Sequence, residues 1–172
     1  MIRSFLLAVT GGLFMTFATF PTTAQALSVK KAKEKLARGE IAAAAALSQL
    51  GVSFSWGGGS PKGPTFGIGR GAGTKGFDCS GLTLYAWSRA GVTLAHYTGT
   101  QFRQGRRIPP SARRAGDLLF FGGGRGDPTH VGLYLGGGLM IHAPKTGDVV
   151  KKTNFLNSPY YRAVYRGTVR PG

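Results

Sequence analysis

Two alternating segments joined by three glycines constrain the fold of this chain most strongly. Residues 130–135 read HVGLYL, in which every second residue is Val or Leu, and residues 139–142 read LMIH, in which a strand would place Met140 and His142 opposite to Leu139 and Ile141. This period predicts two β-strands, and glycines 136–138 between them predict a hairpin turn. With a three-residue turn, His130 and His142 lie on the same face of the hairpin. A two-residue turn would place them on opposite faces.

The only cysteine of the chain stands where a helix is predicted to begin. Apolar side chains recur at three- and four-residue spacing from Cys79 to Ala90, with Asp78 as a natural N-cap and Gly91 as a stop. A thiol in the first turn of a helix lies near unpaired N–H groups, so we expect its pKa to be lowered and its sulfur to be reactive. A buried, inert thiol is the ordinary alternative. The pair of histidines favours the reactive reading, because it supplies a base and an orienting group.

The first 26 residues have the pattern of a signal peptide. Arg3 precedes an apolar run, and Ala24-Gln25-Ala26 has the small-x-small form of a cleavage site. We expect cleavage near Leu27, export from the cytoplasm and no membrane span afterwards, since no later segment approaches the length of one. An uncleaved anchor is the alternative.

The remaining chain is predicted to form an N-terminal helical segment and one domain. Residues 27–50 are rich in Ala, Lys, Glu and Leu and predict one or two helices, with Ser28 as N-cap and Gly39 as a break. The domain is expected over residues 51–172. Its glycine-rich stretch, residues 54–76, predicts a long loop at the wall of a binding cleft.

The charge of the chain favours an anionic partner. It has 22 Lys and Arg against 6 Asp and Glu, a formal net charge of +16. For an exported protein, cell-wall polymers are more accessible polyanions than nucleic acid, so we expect no nucleic-acid partner. The glycine-rich segments do not have phosphate-binding spacing, and the sequence indicates no metal and no cofactor.

Taken together and in order, five motifs resemble the NlpC-type (NlpC/P60) cysteine peptidases of bacterial cell walls, and most closely the secreted actinobacterial branch. The resemblance implies an α+β, papain-like fold in which the helix that carries the nucleophile packs on a central antiparallel β-sheet. The motifs are FSWGGG (54–59), GFDCSGLTLYAW (76–87), LAHYTGTQF (94–102), AGDLLFFG (115–122) and HVGLYLGGGLMIHAP (130–144).

The resemblance also implies roles for single residues. Cys79 matches the nucleophile, His130 the general base and His142 the polar residue that orients the base. Three further positions are implied to bind the substrate: Asp78 and Ser80 border its pocket, and His96 lines the cleft. Phe54 stands where the family commonly has a tyrosine whose hydroxyl helps to bind the substrate or the oxyanion.

The implied activity is hydrolysis of peptidoglycan stem peptides by a secreted, monomeric protein located in the cell wall or periplasm. The bond implied is that between D-isoglutamate and diaminopimelate. Two alternatives stay open: a non-catalytic wall-binding module, and a papain-like amidase or acyltransferase that uses the same residues.

Overall fold

A computed structural model describes residues 22–172 of the chain. Residues 1–21 of the predicted signal peptide lie outside the described residues. Its predicted cleavage site lies within the first helix. The helices are α1 (Thr23–Leu47), α2 (Cys79–Arg89), α3 (Thr98–Gln101) and α4 (Pro159–Ala163). The strands are β1 (Thr65–Phe66), β2 (Lys75–Gly76), β3 (Arg106–Ile108), β4 (Leu118–Phe121), β5 (His130–Gly136), β6 (Leu139–His142), β7 (Lys151–Asn154) and β8 (Tyr165–Arg170).

The centre of the molecule is a six-stranded sheet in the order β3-β8-β4-β5-β6-β7, with every neighbouring pair antiparallel. Helix α2 packs on β5 and β6, and α1 packs on α2. This arrangement confirms the predicted α+β class. Strands β1 and β2 form a separate two-stranded ribbon within the predicted glycine-rich loop.

The alternation of side chains along the strands divides the core between the two faces of the sheet. Val131, Leu133 and Ile141 point toward α2 and belong to the larger apolar cluster, which also contains Trp87. Met140 and Phe121 point to the opposite face and belong to a smaller cluster. The predicted faces of the two central strands are therefore confirmed.

Helix α1 differs from the prediction in its start and in its continuity. It begins after Thr22, whose side chain forms a capping box with Gln25, so Ser28 is not the N-cap. It also continues through Gly39, which is not a break. A β-carbon at Gly39 would lie 2.3 Å from the carbonyl oxygen of Ala115, so the absence of a side chain allows α1 to pack closely there.

Among residues 22–172, no helix combines the length and the apolar character that crossing a bilayer requires.

Candidate active site

The amino end of α2 positions the cysteine as the sequence predicts. Asp78 is the N-cap: its Oδ1 accepts a hydrogen bond from the backbone N–H of Gly81 at 2.6 Å, and Cys79 is the first residue of the helix. Gly91, just beyond the helix, has a φ of 74°. The predicted helix is thus confirmed to within one residue at its end.

The environment of the sulfur differs from the prediction. Cys79 is partly buried, and its Sγ lies 3.6 Å from the hydroxyl of Thr98. Burial, followed by the negative charge of Asp78, raises the pKa of the thiol; hydrogen bonds from Thr98 and from the N–H groups of Val131 and Ser80 oppose this rise without cancelling it. The expected lowering of the pKa was wrong, because desolvation outweighs the helix terminus.

The hairpin β5–β6 places both histidines on one face, although its turn is not the predicted one. Gly136 opposes Leu139, so the loop has only two residues, both with positive φ as tight hairpins require. A bulge between Tyr134 and Gly136 adds one residue to β5, and this residue shifts the pairing to the register that a three-residue turn would give. Leu133 consequently opposes Ile141, the register that brings the two histidines together.

The two imidazoles form a direct hydrogen bond. His130 Nε2 lies 2.8 Å from His142 Nδ1, and the ring centroids are 5.1 Å apart. Gly132, between them on the same face, would place a β-carbon 3.4 Å from the β-carbon of His142 and 2.8 Å from the Met140 sulfur, so its lack of a side chain keeps this space open. Because Nε2 of His130 is hydrogen-bonded to His142, only Nδ1 of His130 remains free to act on another group.

Burial keeps both imidazoles neutral. It lowers the pKa of His130 to about 4. It lowers that of His142 to about 3, and the charges of His130 and Lys151 act in the same direction. His142 is 1% exposed, and its Nε2 is hydrogen-bonded to the hydroxyl of Thr153 at 2.9 Å.

Aromatic rings cover the outer side of this pair. The Tyr161 ring on α4 lies 6.1 Å from the His130 ring and 5.6 Å from the His142 ring, measured between centroids. Burial raises the pKa of Tyr161 to about 12, and the charges of Tyr160, Asp148 and Cys79 in their ionised forms add to the rise. Beside these rings opens a cleft of about 620 Å³, lined by His130, Tyr160, Tyr161 and Lys145 among others.

The three predicted substrate-binding residues form a hydrogen-bonded group at the amino end of α2. Asp78 Oδ1 accepts from Ser80 Oγ at 3.0 Å and lies 3.1 Å from His96 Nε2, while Oδ2 accepts from the N–H of Gly57 at 3.0 Å. Burial alone would raise the pKa of Asp78, but these bonds hold it below its ordinary value. The hydrogen bond to Asp78 raises the pKa of His96. The group therefore ties the glycine-rich loop to the helix.

Phe54 is buried and packs in the larger apolar cluster with Phe77. The backbones of these two residues form an isolated parallel β-bridge. It contributes no hydroxyl to the site.

Three residues near the site were missed by sequence reasoning: Thr98, Thr153 and Tyr161. Thr98 contacts the sulfur, Thr153 contacts His142, and Tyr161 covers both imidazoles. The motif segment LAHYTGTQF contains Thr98 and is the only signal that could have identified one of them. Within the described part of the chain, no cluster of three or more His, Cys, Asp or Glu side chains could hold a metal ion.

Comparison with known proteins finds relatives that are named peptidoglycan endopeptidases. The chain is 52% identical over 105 residues to the peptidoglycan endopeptidase RipA of Mycolicibacterium smegmatis, a match that covers 61% of this chain and 21% of that protein. The chain therefore spans about a fifth of the length of this relative. The structure of the peptidoglycan hydrolase RipB from Mycobacterium tuberculosis superposes with a TM-score of 0.70 at 38% identity, covering 88% of this chain and 72% of that one.

A third neighbour shows a different use of the same fold. RipD from Mycobacterium tuberculosis, described as a non-catalytic NlpC/p60 domain protein adapted to peptidoglycan binding, superposes with a TM-score of 0.66 at 38% identity, covering 77% of this chain and 96% of that one. The NlpC/P60 family model matches residues 51–170. On its sequence and its fold, this chain belongs to the NlpC/P60 family.

Proposed function

We propose that this chain is a cysteine endopeptidase that hydrolyses peptide bonds in peptidoglycan stem peptides. Cys79 is the nucleophile, His130 the general base and His142 the residue that orients the base. The observation that carries the proposal is the hydrogen bond between His130 Nε2 and His142 Nδ1. It leaves Nδ1 of His130 for the thiol, which lies close enough to β5 for the N–H of Val131 to influence it. Relatives named peptidoglycan endopeptidases support the substrate class.

The resting pair of catalytic groups is neutral. The pKa of the thiol is raised and that of His130 is lowered to about 4, so at pH 7 the proton stays on the sulfur. His130 therefore removes this proton as the sulfur attacks, rather than holding a preformed ion pair. This differs from the thiolate expected from the helix terminus alone, and it makes His130 a true general base in the first step.

The first half-reaction forms a thioester. The sulfur of Cys79 attacks the amide carbonyl carbon, Nδ1 of His130 takes the thiol proton, and the carbonyl oxygen becomes an oxyanion. The carbon–nitrogen bond then breaks as His130 returns the proton to the departing amine. In the second half-reaction, water attacks the thioester while His130 takes its proton, and the carbon–sulfur bond breaks as His130 returns that proton to the sulfur, which restores the thiol and the neutral imidazole.

The amino end of α2 supplies charge stabilisation for the oxyanion. The first N–H groups of a helix have no partner within the helix, and Asp78 already binds that of Gly81. The backbone N–H of Cys79 is thus the donor we assign to the oxyanion. Phe54 removes the side-chain donor common in the family, and loss of one such donor costs on the order of a hundredfold in rate. We therefore expect a slow enzyme.

The finer substrate assignment follows the resemblance. We propose cleavage between D-isoglutamate and diaminopimelate, with Asp78, Ser80 and His96 at the pocket for the end of the stem peptide. We also propose that the protein is monomeric, is exported after removal of residues 1–26 and acts in the cell wall or periplasm. The excess of basic residues supports additional binding to anionic wall polymers, which added salt should weaken.

A non-catalytic wall-binding role is the second candidate, and the likeness to RipD favours it. The arrangement of Cys79, His130 and His142 in contacting elements supports catalysis over binding alone.

Mass spectrometry of purified muropeptides incubated with the protein distinguishes these functions. We expect new fragments that end in a free isoglutamate carboxyl group and begin with a free diaminopimelate amine. In Cys79→Ala the rate should fall by at least about a thousandfold, as for loss of a nucleophile in other enzymes. Ser88→Ala, on the same helix but away from the thiol, is the matched control. Binding without cleavage by the wild-type protein would establish the second candidate instead, and release of the whole stem peptide from the sugar would indicate an amidase.

A further inference from the structure

A third polar residue continues the hydrogen-bonded series from His130 and His142. Thr153 lies on β7 opposite Met140 and is half-buried. Its Oγ1 is 2.9 Å from Nε2 of His142, whose Nδ1 is 2.8 Å from His130. Both ring nitrogens of His142 therefore have one partner each.

The protons of this series can be arranged in two ways. In the first, His130 donates from Nε2 to Nδ1 of His142, and His142 donates from Nε2 to Thr153. In the second, Thr153 donates to His142, which donates to His130, whose remaining proton must then sit on Nδ1. Only the first arrangement leaves Nδ1 of His130 with the lone pair that a base needs.

Reaction makes the first arrangement obligatory. Once His130 has taken the thiol proton, both of its nitrogens carry hydrogen, so His142 must accept at Nδ1 and hold its own proton on Nε2. That proton points at Thr153, whose hydroxyl has the lone pairs to accept it. Without an acceptor at this place, the protonated state of His130 would coexist with a buried, unpaired N–H group.

We propose that Thr153 is a positioning residue that fixes the Nε2–H tautomer of His142 and, through it, the basic Nδ1 of His130. The expected effect on turnover rests on the proposed function. The expected tautomers rest only on the hydrogen bonds of His142. His142, which orients the base, thereby has a hydrogen-bond partner of its own.

The charged and titratable groups around His142 support a neutral ring that accepts at Nδ1. His130 faces it from β5, Tyr161 from α4 and Lys151 from β7. Lys151 is itself paired with Asp148 at 2.6 Å. A positive charge on His130 or on Lys151 disfavours protonation of His142. A ring kept neutral in this way has one proton to place, and the hydroxyl of Thr153 is the acceptor that allows this proton to sit on Nε2.

Nitrogen NMR of the imidazoles tests the tautomers directly. The chain has three histidines, so a protein labelled with ¹⁵N at histidine gives few signals to assign. At pH 7 we expect His130 and His142 to carry their protons on Nε2. Thr153→Val keeps the shape of the side chain and should move His142 partly or wholly to the Nδ1–H form, whereas Thr153→Ser should keep the wild-type tautomer. A wild-type His142 protonated on Nδ1, or an unchanged tautomer in Thr153→Val, would overturn the proposal.

Turnover of muropeptides by the same proteins supplies the second readout. Thr153→Val should lower kcat about ten- to a hundredfold, by analogy with the outer partners of metal-bound histidines, with KM changed less than about twofold. Thr153→Ser should recover most of kcat. Equal kcat in Thr153→Val and wild type would count against the proposal. If the wild-type protein hydrolyses no muropeptide while the NMR tautomers are as expected, the proposed function fails and the positioning by Thr153 stands.

Discussion

Acid should destabilise this protein because two neutral imidazoles are buried together. An unfolded histidine has a pKa of about 6.5, whereas burial lowers the pKa of His130 to about 4 and that of His142 to about 3. Between these values the unfolded chain binds protons that the folded chain does not. The free energy of unfolding therefore falls as the pH drops from about 6.5 toward 4.

The size of the effect at pH 5 follows from the two shifts. Each imidazole is then about 1.5 pH units below its unfolded pKa and still neutral when folded, which corresponds to about 2 kcal/mol at 1.36 kcal/mol per unit. The pair together accounts for about 4 kcal/mol between pH 8 and pH 5. Replacing His142 by glutamine removes one titrating group and keeps a hydrogen-bond acceptor for His130. The variant should therefore lose about 2 kcal/mol less than the wild type over this interval.

Urea unfolding at pH 8 and pH 5 measures both differences, with tryptophan fluorescence as the probe. The ion-paired His96 has a raised pKa and acts in the opposite direction, but it is present in both proteins and cancels in the comparison. An equal loss of stability in wild type and His142→Gln would refute the reasoning, because it would mean that His142 titrates alike in the folded and unfolded states.

Three further predictions concern neighbouring features. Gly39→Ala should destabilise the protein by about 1–3 kcal/mol in urea unfolding, because the new β-carbon would meet the backbone oxygen of Ala115; an unchanged midpoint would contradict the close packing of α1. Tyr161→Ala should admit water to the imidazoles and move the acid limb of the kcat/KM profile above pH 4, whereas Tyr161→Phe should leave that limb in place. Asp78→Ala should lower the melting temperature and make the glycine-rich loop more sensitive to proteolysis, and equal cleavage rates would show that this carboxylate does not hold the loop.

Features that depend on local sequence were predictable. Helix α2 follows from an N-cap at Asp78, apolar spacing and a glycine stop, all within fourteen residues of one another. The faces of β5 and β6 follow from their alternation. Even there, the bulge at the end of β5 was not predictable, because a run of three glycines permits several turns and the packing of the sheet selects among them.

Features that depend on distant contacts were not predictable. Gly39 has the residue type of a helix break, but its role is set by the carbonyl of Ala115 far along the chain. The predicted shift of the Cys79 pKa had the wrong direction, because the sequence shows the helix terminus and does not show the depth of burial. Thr153 and Tyr161 come from segments with no motif, and only the pairing of β7 with β6 and the packing of α4 bring them to the imidazoles.

The central claim is that Cys79 performs the chemistry with the imidazole of His130. Because this is the only thiol in the chain, iodoacetamide can report on it without ambiguity. The account predicts that intact mass spectrometry will show one carboxamidomethyl group per chain and that muropeptide hydrolysis will be lost in proportion to its incorporation. Protein that is fully alkylated and still hydrolyses muropeptides at the wild-type rate would contradict the account.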